Sequence, residues 1–325
     1  MSAENLFIRA GNEAIKINKP HGVDFHLTKQ GSDWLWAMFS VFGCLAIVYV
    51  AIFLFTEVRS QQTKPITRYA LAAPLLISIF EFFAYYLYAS NLGWTGIEAE
   101  FGHLHVDPRI TDEKHGVRQI FYQKYVVWVL SWPCLLFLQE LTGLSLSQES
   151  MDNFSAMELI HSLLVQIVGT EYWVVSLLIG ALIKTTYKWG PWVFGAVIML
   201  AVQFLQCKRL FVTFKIRGMT MGVVALSMII VWLYFICWGL SEGGNKIQPD
   251  SEAVFYGVLD FCMFVVYPAY LLFIVNQYGH MPSLHMPHRN HKDEESDLQD
   301  EAKSVEPDSI RASGETQVPE QEASA

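Results

Sequence analysis

Long apolar runs broken by short polar stretches set the pattern of this chain. Seven runs are long enough to cross a bilayer, at about residues 34–56, 67–90, 120–142, 157–183, 189–210, 218–240 and 252–275. A span needs roughly 20 residues. In lipid the backbone must satisfy its own hydrogen bonds, so each run is predicted to be a helix. Most connections are short, which predicts one bundle: an all-α membrane protein with seven transmembrane helices. The exception is the polar second connection, residues 91–119. The domain boundaries that follow are 1–33 for an N-terminal extramembrane segment, 34–276 for the bundle and 277–325 for a C-terminal tail.

Composition agrees with this class, at 53% hydrophobic residues and a mean hydropathy of +0.30. The first 33 residues are too polar for a secretory signal, so the first helix is expected to be its own insertion signal. Cys44, Cys134, Cys207, Cys237 and Cys262 all fall in apolar runs, and neither a disulfide framework nor a metal spacing is visible. The net charge of −9 is uneven, because residues 279–325 hold 11 acidic and 4 basic residues. That tail, rich in Ser, Pro, Gln and Glu, is expected to be disordered. Its histidine-rich start, GHMPSLHMPHRNH, fixes no metal geometry. Lys and Arg divide equally between the two faces of the membrane. The basic first and fifth connections favour an external N-terminus and a cytoplasmic tail. In that orientation the sequon at Asn153 is cytoplasmic and unused.

Ionisable residues inside spans cost about 2.5–3.5 kcal/mol at the helix centre and normally face the bundle interior. The candidates are Glu81, Lys124, Glu140, Glu171 and Asp260. Glu140 stands near a helix end, where it can snorkel. Glu81 and Glu171 can each be a carboxyl bonded to a neighbouring helix. Asp260 shares a helical face with Tyr256, Phe264 and Tyr267, and Lys124 shares one with Trp128, Ser131 and Leu135. If those faces meet, Lys124 is a natural partner for Asp260. Such a pair could be a packing device or the remnant of a charged site.

Several stretches identify a family. VWLYFICWGLSEGGN (231–245) and FYGVLD (255–260) resemble the sixth and seventh helices of the microbial rhodopsins of fungi. RQIFYQKYVVWVLSWP (118–133) resembles their third helix, SDWLWAMFSVF (32–42) the first and AYYLYASNLG (84–93) the second. The match runs over roughly residues 25–276 in the right order. Within this microbial-rhodopsin-like group the chain most resembles the fungal opsin-related proteins, including stress-induced plasma-membrane members that lack the retinal lysine. The resemblance implies that the second connection covers the N-terminal mouth of the bundle as a short hairpin.

The departures from the pigment pattern carry the functional expectation. The lysine that would hold retinal as a Schiff base is replaced by Phe264. The proton-acceptor position is Val127, the donor position is Leu138, and the sixth-helix proline is Phe235. What the resemblance retains is a counterion, Asp260, its hydroxyl donors Tyr85 and Tyr234, and Lys124 in place of an arginine. Phe264, Trp128 and Trp238 are expected to fill the retinal pocket. Covalent retinal, a metal, catalysis and a nucleic-acid partner are therefore not expected. The resemblance implies a regulator, scaffold or chaperone-like partner of plasma-membrane proteins such as the proton ATPase. Two other readings stay open: a passive proton or ion path through Glu81, Lys124, Glu171 and Asp260, and a photoreceptor that holds its chromophore without a covalent bond. The oligomeric state is not legible.

Overall fold

The computed structural model describes residues 12–59, 61–104, 116–147 and 156–280. The tail beyond residue 280, with nearly all of the histidine-rich stretch, lies outside the described residues, as does Asn153. Seven helices cross the bilayer by length and apolarity: α1 (Lys29–Val58), α2 (Pro65–Ala89), α3 (Gln123–Leu146), α4 (Ala156–Leu182), α5 (Thr186–Thr213), α6 (Met219–Gly243) and α7 (Pro249–Tyr278). The chain is a multi-pass membrane protein. Helices adjacent in sequence pack side by side around a ring that α7 closes against α1, and α7 also packs on α2 and α3. This places α3 and α7 side by side in the interior. The lipid-facing side chains are large and apolar, among them Ile47, Leu54, Val168, Phe194 and Phe204.

The helix ends lie beyond the apolar runs. Helix α1 begins at Lys29, where Thr28 caps it by accepting a hydrogen bond from the Gln30 N–H. The Thr28 hydroxyl also bonds to Asp250, joining α1 to the start of α7. Helices α5, α6 and α7 each contain a wider π-helical stretch, Lys208–Thr213, Gly239–Gly243 and Phe261–Val266. The first two carry their helices past the apolar boundary, and the third surrounds Phe264.

The second connection holds an antiparallel hairpin, β1 (Trp94–Glu98) paired with β2 (Val117–Phe121). Strand β2 is wholly buried because residues 24–27 lie along its other edge. The Asp24 and Phe25 N–H groups donate to the Val117 carbonyl, and Leu27 donates to the Gln119 side chain. Arg118 projects from this strand into the end of the bundle.

Helices α4, α5 and α6 meet closely at Gly180. A methyl group there would lie 2.8 Å from Trp238 Cζ2 and 3.0 Å from the Lys188 carbonyl oxygen. Trp238 cannot easily retreat, because its indole N–H donates to the Leu177 carbonyl at 2.9 Å and its ring stands edge-on to Trp189. Gly180→Ala should therefore destabilise the bundle by about 1–3 kcal/mol, the usual cost of overpacking. Thermal unfolding in detergent measures this, and an unchanged midpoint would show that the contact relaxes freely.

Candidate functional site

Three crossings, α4, α5 and α6, lie between α3 and α7, so those two helices run parallel. Their side chains therefore meet at matching depths. Lys124 stands level with Glu252, Trp128 with Tyr256 and Asp260, and Trp132 with Phe264. This register creates a charged layer, a tyrosine-bonded carboxylate and an aromatic layer, in that order from the N-terminal end.

The charged layer is centred on Lys124. Its ammonium forms buried ion pairs with both Glu242 and Glu252. Glu242 also accepts from the Tyr125 hydroxyl at 2.8 Å and from Ser241. The second oxygen of Glu252 accepts from Arg118 Nη2 at 2.6 Å. Arg118 Nη1 in turn donates to Asn245 and to the Ile247 carbonyl, at 2.8 and 2.7 Å. Lys188 donates to the Glu242 backbone carbonyl at 3.0 Å. The two carboxylates are each ion-paired to Lys124 or Arg118, Lys188 stands beside them as a third cation, and all five side chains are almost fully buried. The pairing matters, since an unpaired buried charge is far costlier than a paired one.

The expected pairing of Lys124 with Asp260 does not form. Asp260 lies eight residues beyond Glu252, roughly 12 Å along the helix axis at 1.5 Å per residue, while Lys124 is level with Glu252. Asp260 is instead held by three neutral donors. Tyr85 donates to one oxygen at 2.6 Å; Tyr234 and the Trp128 indole donate to the other at 2.8 and 3.2 Å. The rings of Trp128 and Tyr256 stand at this level, 5.2 Å apart between centroids.

Below Asp260 the interior is filled by rings. Phe264 is 2% exposed and packs edge-on against Trp132 at 5.3 Å. Trp132 packs in turn against Trp173 and Tyr234. Val127 and Leu138 are buried apolar residues. Trp238 lies against Trp189 and Gly180, between α4, α5 and α6. A cavity of about 30 Å³ remains beside this layer, lined by Trp132, Trp173, Gln139, Thr170 and Met263. That is room for about one water molecule.

The other acids go to different places. Glu81 is fully buried and accepts from Ser131 at 2.8 Å, and its second oxygen has no hydrogen-bond partner among the described residues. Glu140 does not snorkel: it is buried and paired with Arg209 at 2.7 Å. The π-helical end of α5 carries Arg209 back over the bundle to meet it. Glu171 lies apart from all of these, in a groove between α4 and α5. Among the described residues, no group of three or more His, Cys, Asp or Glu could hold a metal ion.

Glu242, Glu252 and Arg118 were missed as partners by the sequence reading. A signal was present, because Glu242 and Arg118 both stand inside the stretches that carry the family resemblance. Arg118 and Glu242 stand just outside the apolar runs and Glu252 at the first residue of one, where a charge can ordinarily reach water.

A seven-helix interior built on charged and aromatic layers, with a hairpin over its N-terminal end, defines an opsin-type membrane protein. The chain belongs to the bacteriorhodopsin-like protein family, whose model matches residues 32–277. It is 53% identical to the 30 kDa heat shock protein of Saccharomyces cerevisiae, over 97% of this chain and 94% of that one. It is 36% identical to the opsin-like protein carO of Fusarium fujikuroi, over 83% and 82% of the two chains. The fold is that of a light-driven proton pump from Leptosphaeria maculans, with a TM-score of 0.62 at 22% identity over 77% of this chain and 96% of that one.

The layered register has a measurable consequence. Lys124→Met strands Glu242 and Glu252 and should destabilise by about 3–5 kcal/mol, the usual cost of breaking a buried pair. In a double-mutant cycle Lys124→Met should couple strongly to Glu252→Leu. It should be close to additive with Asp260→Leu, because those two groups share no contact. Coupling of similar size in both cycles would contradict the separation of the layers.

Proposed function

We propose that this protein is a non-catalytic, opsin-like regulator or scaffold of other membrane proteins, with a role linked to stress. The observation that carries this reading is Phe264. It occupies the lysine position of the retinal pigments and is packed against Trp132 in a filled interior. The residues present do not suit a retinal Schiff base. The buried lysines Lys124 and Lys188 are engaged with Glu242 and Glu252 and with the Glu242 carbonyl, at the N-terminal end of the helices. The remaining 30 Å³ cavity is far smaller than a polyene chain. The acceptor and donor positions, Val127 and Leu138, bear no ionisable group.

A passive ion path through the membrane acids has less support. Lys124 and Asp260 are separated by Trp128 and Tyr256, Asp260 has rings beneath it, and Glu171 faces a different part of the molecule. The stress link rests on similarity to a heat shock protein. The plasma membrane, an external N-terminus and partners such as the proton ATPase are carried over from the resemblance as parts of the same proposal. Asp260, Tyr85, Tyr234 and Lys124 then act as structural survivors of a pigment site, and they hold α2, α3, α6 and α7 together.

Three measurements test this reading. Incubation of the purified protein with all-trans retinal and then borohydride should leave no retinyl adduct, and illumination of proteoliposomes should move no protons. Crosslinking in native membranes before and after heat stress should capture another integral membrane protein. A retinyl-lysine, a light-driven pH change or empty crosslinking lanes under both conditions would each overturn the proposal. Phe264→Lys alone should give at most a non-pumping pigment, because Val127 and Leu138 still lack carboxyls.

A further inference from the structure

A cavity of about 940 Å³ opens at the end of the bundle opposite the charged layer. It lies between the end of α3 at Leu146, the turn from α5 to α6, the start of α6 at Met219 and the last stretch of α7. Its volume falls within the roughly 300–1,000 Å³ of ligand pockets. The turn alternates: Phe214 and Ile216 are buried, while Lys215 and Arg217 are exposed. Two backbone bonds hold it in place. The Phe214 N–H donates to the Arg209 carbonyl at 2.9 Å, and that of Ile216 to the Leu210 carbonyl at 3.0 Å. Lys215 sits in the left-handed region at φ 54°, an uncommon place for a lysine. Both cations line the cavity. The first residues of α6 line it too, with no capping side chain, and the partial positive charge of that helix end adds to theirs.

The rest of the lining is apolar. Phe273 of α7 is 59% exposed, and Met219 is 77% exposed. Phe273 lies five residues before Tyr278 at its helix end, which is roughly 7.5 Å deeper along the axis. Lys215 and Arg217 stand between the ends of α5 and α6, at the height of lipid headgroups. Cations at the boundary thus adjoin apolar surface that reaches into hydrocarbon. A soluble phosphate would use only the cations, whereas an amphiphile uses both parts. The surroundings select its charge. At this end Arg68 and Arg209 are paired with Glu57 and Glu140, while Arg59, Lys64 and Lys208 add to the charge of Lys215 and Arg217. Basic pockets between helix ends suit anionic lipid headgroups.

We infer that this cavity is a binding site for an anionic phospholipid, with the headgroup phosphate between Lys215 and Arg217 and an acyl chain along Phe273 and Met219. A phosphatidylcholine carries its own ammonium, which the basic surroundings oppose, so the site favours a headgroup of net negative charge. The orientation proposed above puts this end in the cytoplasmic leaflet, where such lipids are concentrated.

The test is native mass spectrometry of the full chain released from nanodiscs that mix phosphatidylserine with phosphatidylcholine. Both leaflets of a nanodisc carry the same lipids, so the result does not depend on the orientation of the protein in the cell. One phosphatidylserine should be retained in preference to phosphatidylcholine. Arg217→Gln should weaken that retention about fivefold, and the double change Lys215→Asn with Arg217→Gln about thirtyfold, as expected for losing one and two cations at a membrane surface. Asn is chosen because it tolerates the left-handed backbone. Lys215→Arg keeps the charge and should keep the lipid. Lys208→Gln removes a cation from the same end but outside the cavity and should change retention by less than twofold. Phe273→Ser should weaken phosphatidylserine retention, and soluble glycerophosphoserine should not compete for the site. Equal retention of the two lipids would overturn the inference, as would retention unchanged in the double variant. Loss in Lys208→Gln as large as in the double variant would show surface attraction without a site. Competition by glycerophosphoserine would assign the cations to a soluble phosphate, which also overturns it.

Discussion

Pairing of buried charge at the N-terminal end of the bundle is the constraint on which the rest of the structure depends. Glu242 comes from the end of α6, Glu252 from the start of α7, Lys124 from the start of α3, and Arg118 from the hairpin. None of these four can be buried alone at acceptable cost, because isolated ions in a low-dielectric interior lose more solvation than packing returns. Together they fix the relative heights of α3, α6 and α7. They also explain why the hairpin belongs to the core. Arg118 supplies the second positive charge, and the strand that carries it is held on both edges, by β1 and by residues 24–27. With that layer in place, Trp128 and Trp132 fall at the levels of Asp260 and Phe264 by helical geometry alone.

The fold was legible because a membrane helix announces itself over roughly twenty residues, and no competing structure satisfies the backbone in lipid. Asp260 could be named because it lies deep in an apolar run, where an acid stands out, and Tyr85 and Tyr234 because the family resemblance implies them as its hydroxyl donors. The partner of Lys124 could not be read the same way. Hydropathy places a boundary where apolar residues stop, yet α6 continues through a π-helical turn to Gly243 and α7 begins at Pro249. Glu242 and Glu252 thus fall at the limits of the apolar runs, yet both are buried. Arg209 was hidden for the same reason, since the π-helical turn at Lys208–Thr213 folds it over Glu140. In each case local polarity suggested exposure, and tertiary pairing overruled it.

The separation of charge into layers also bears on why such an interior persists without a chromophore. A cation on the α7 face at position 264 would need a counter-charge at that depth. A phenylalanine there needs only shape. It meets Trp132, and the ring contacts continue through Trp173 and Phe235 to Trp192. Aromatic packing of this kind contributes dispersion and area burial without desolvating an ion. Asp260 remains bearable in this setting because its donors are neutral hydroxyls and an indole N–H, so its bonding requires no second buried charge.

The same reasoning separates the acids of the interior from Glu171. Glu242, Glu252 and Glu140 are matched by cations from other helices, and Asp260 by hydroxyls from α2 and α6. Each of these couples ties helices within one chain, and each would be lost if the bundle opened. Glu171 stands apart in the α4–α5 groove, and neither of its screened oxygens has a hydrogen-bond partner among the described residues. A carboxyl at mid-depth is an expense that packing of the monomer does not require. The physical distinction is between acids whose partners are supplied by folding and one, Glu171, for which the described residues supply none. That distinction places Glu242, Glu252, Glu140 and Asp260 in the architecture of the bundle and sets Glu171 apart from them.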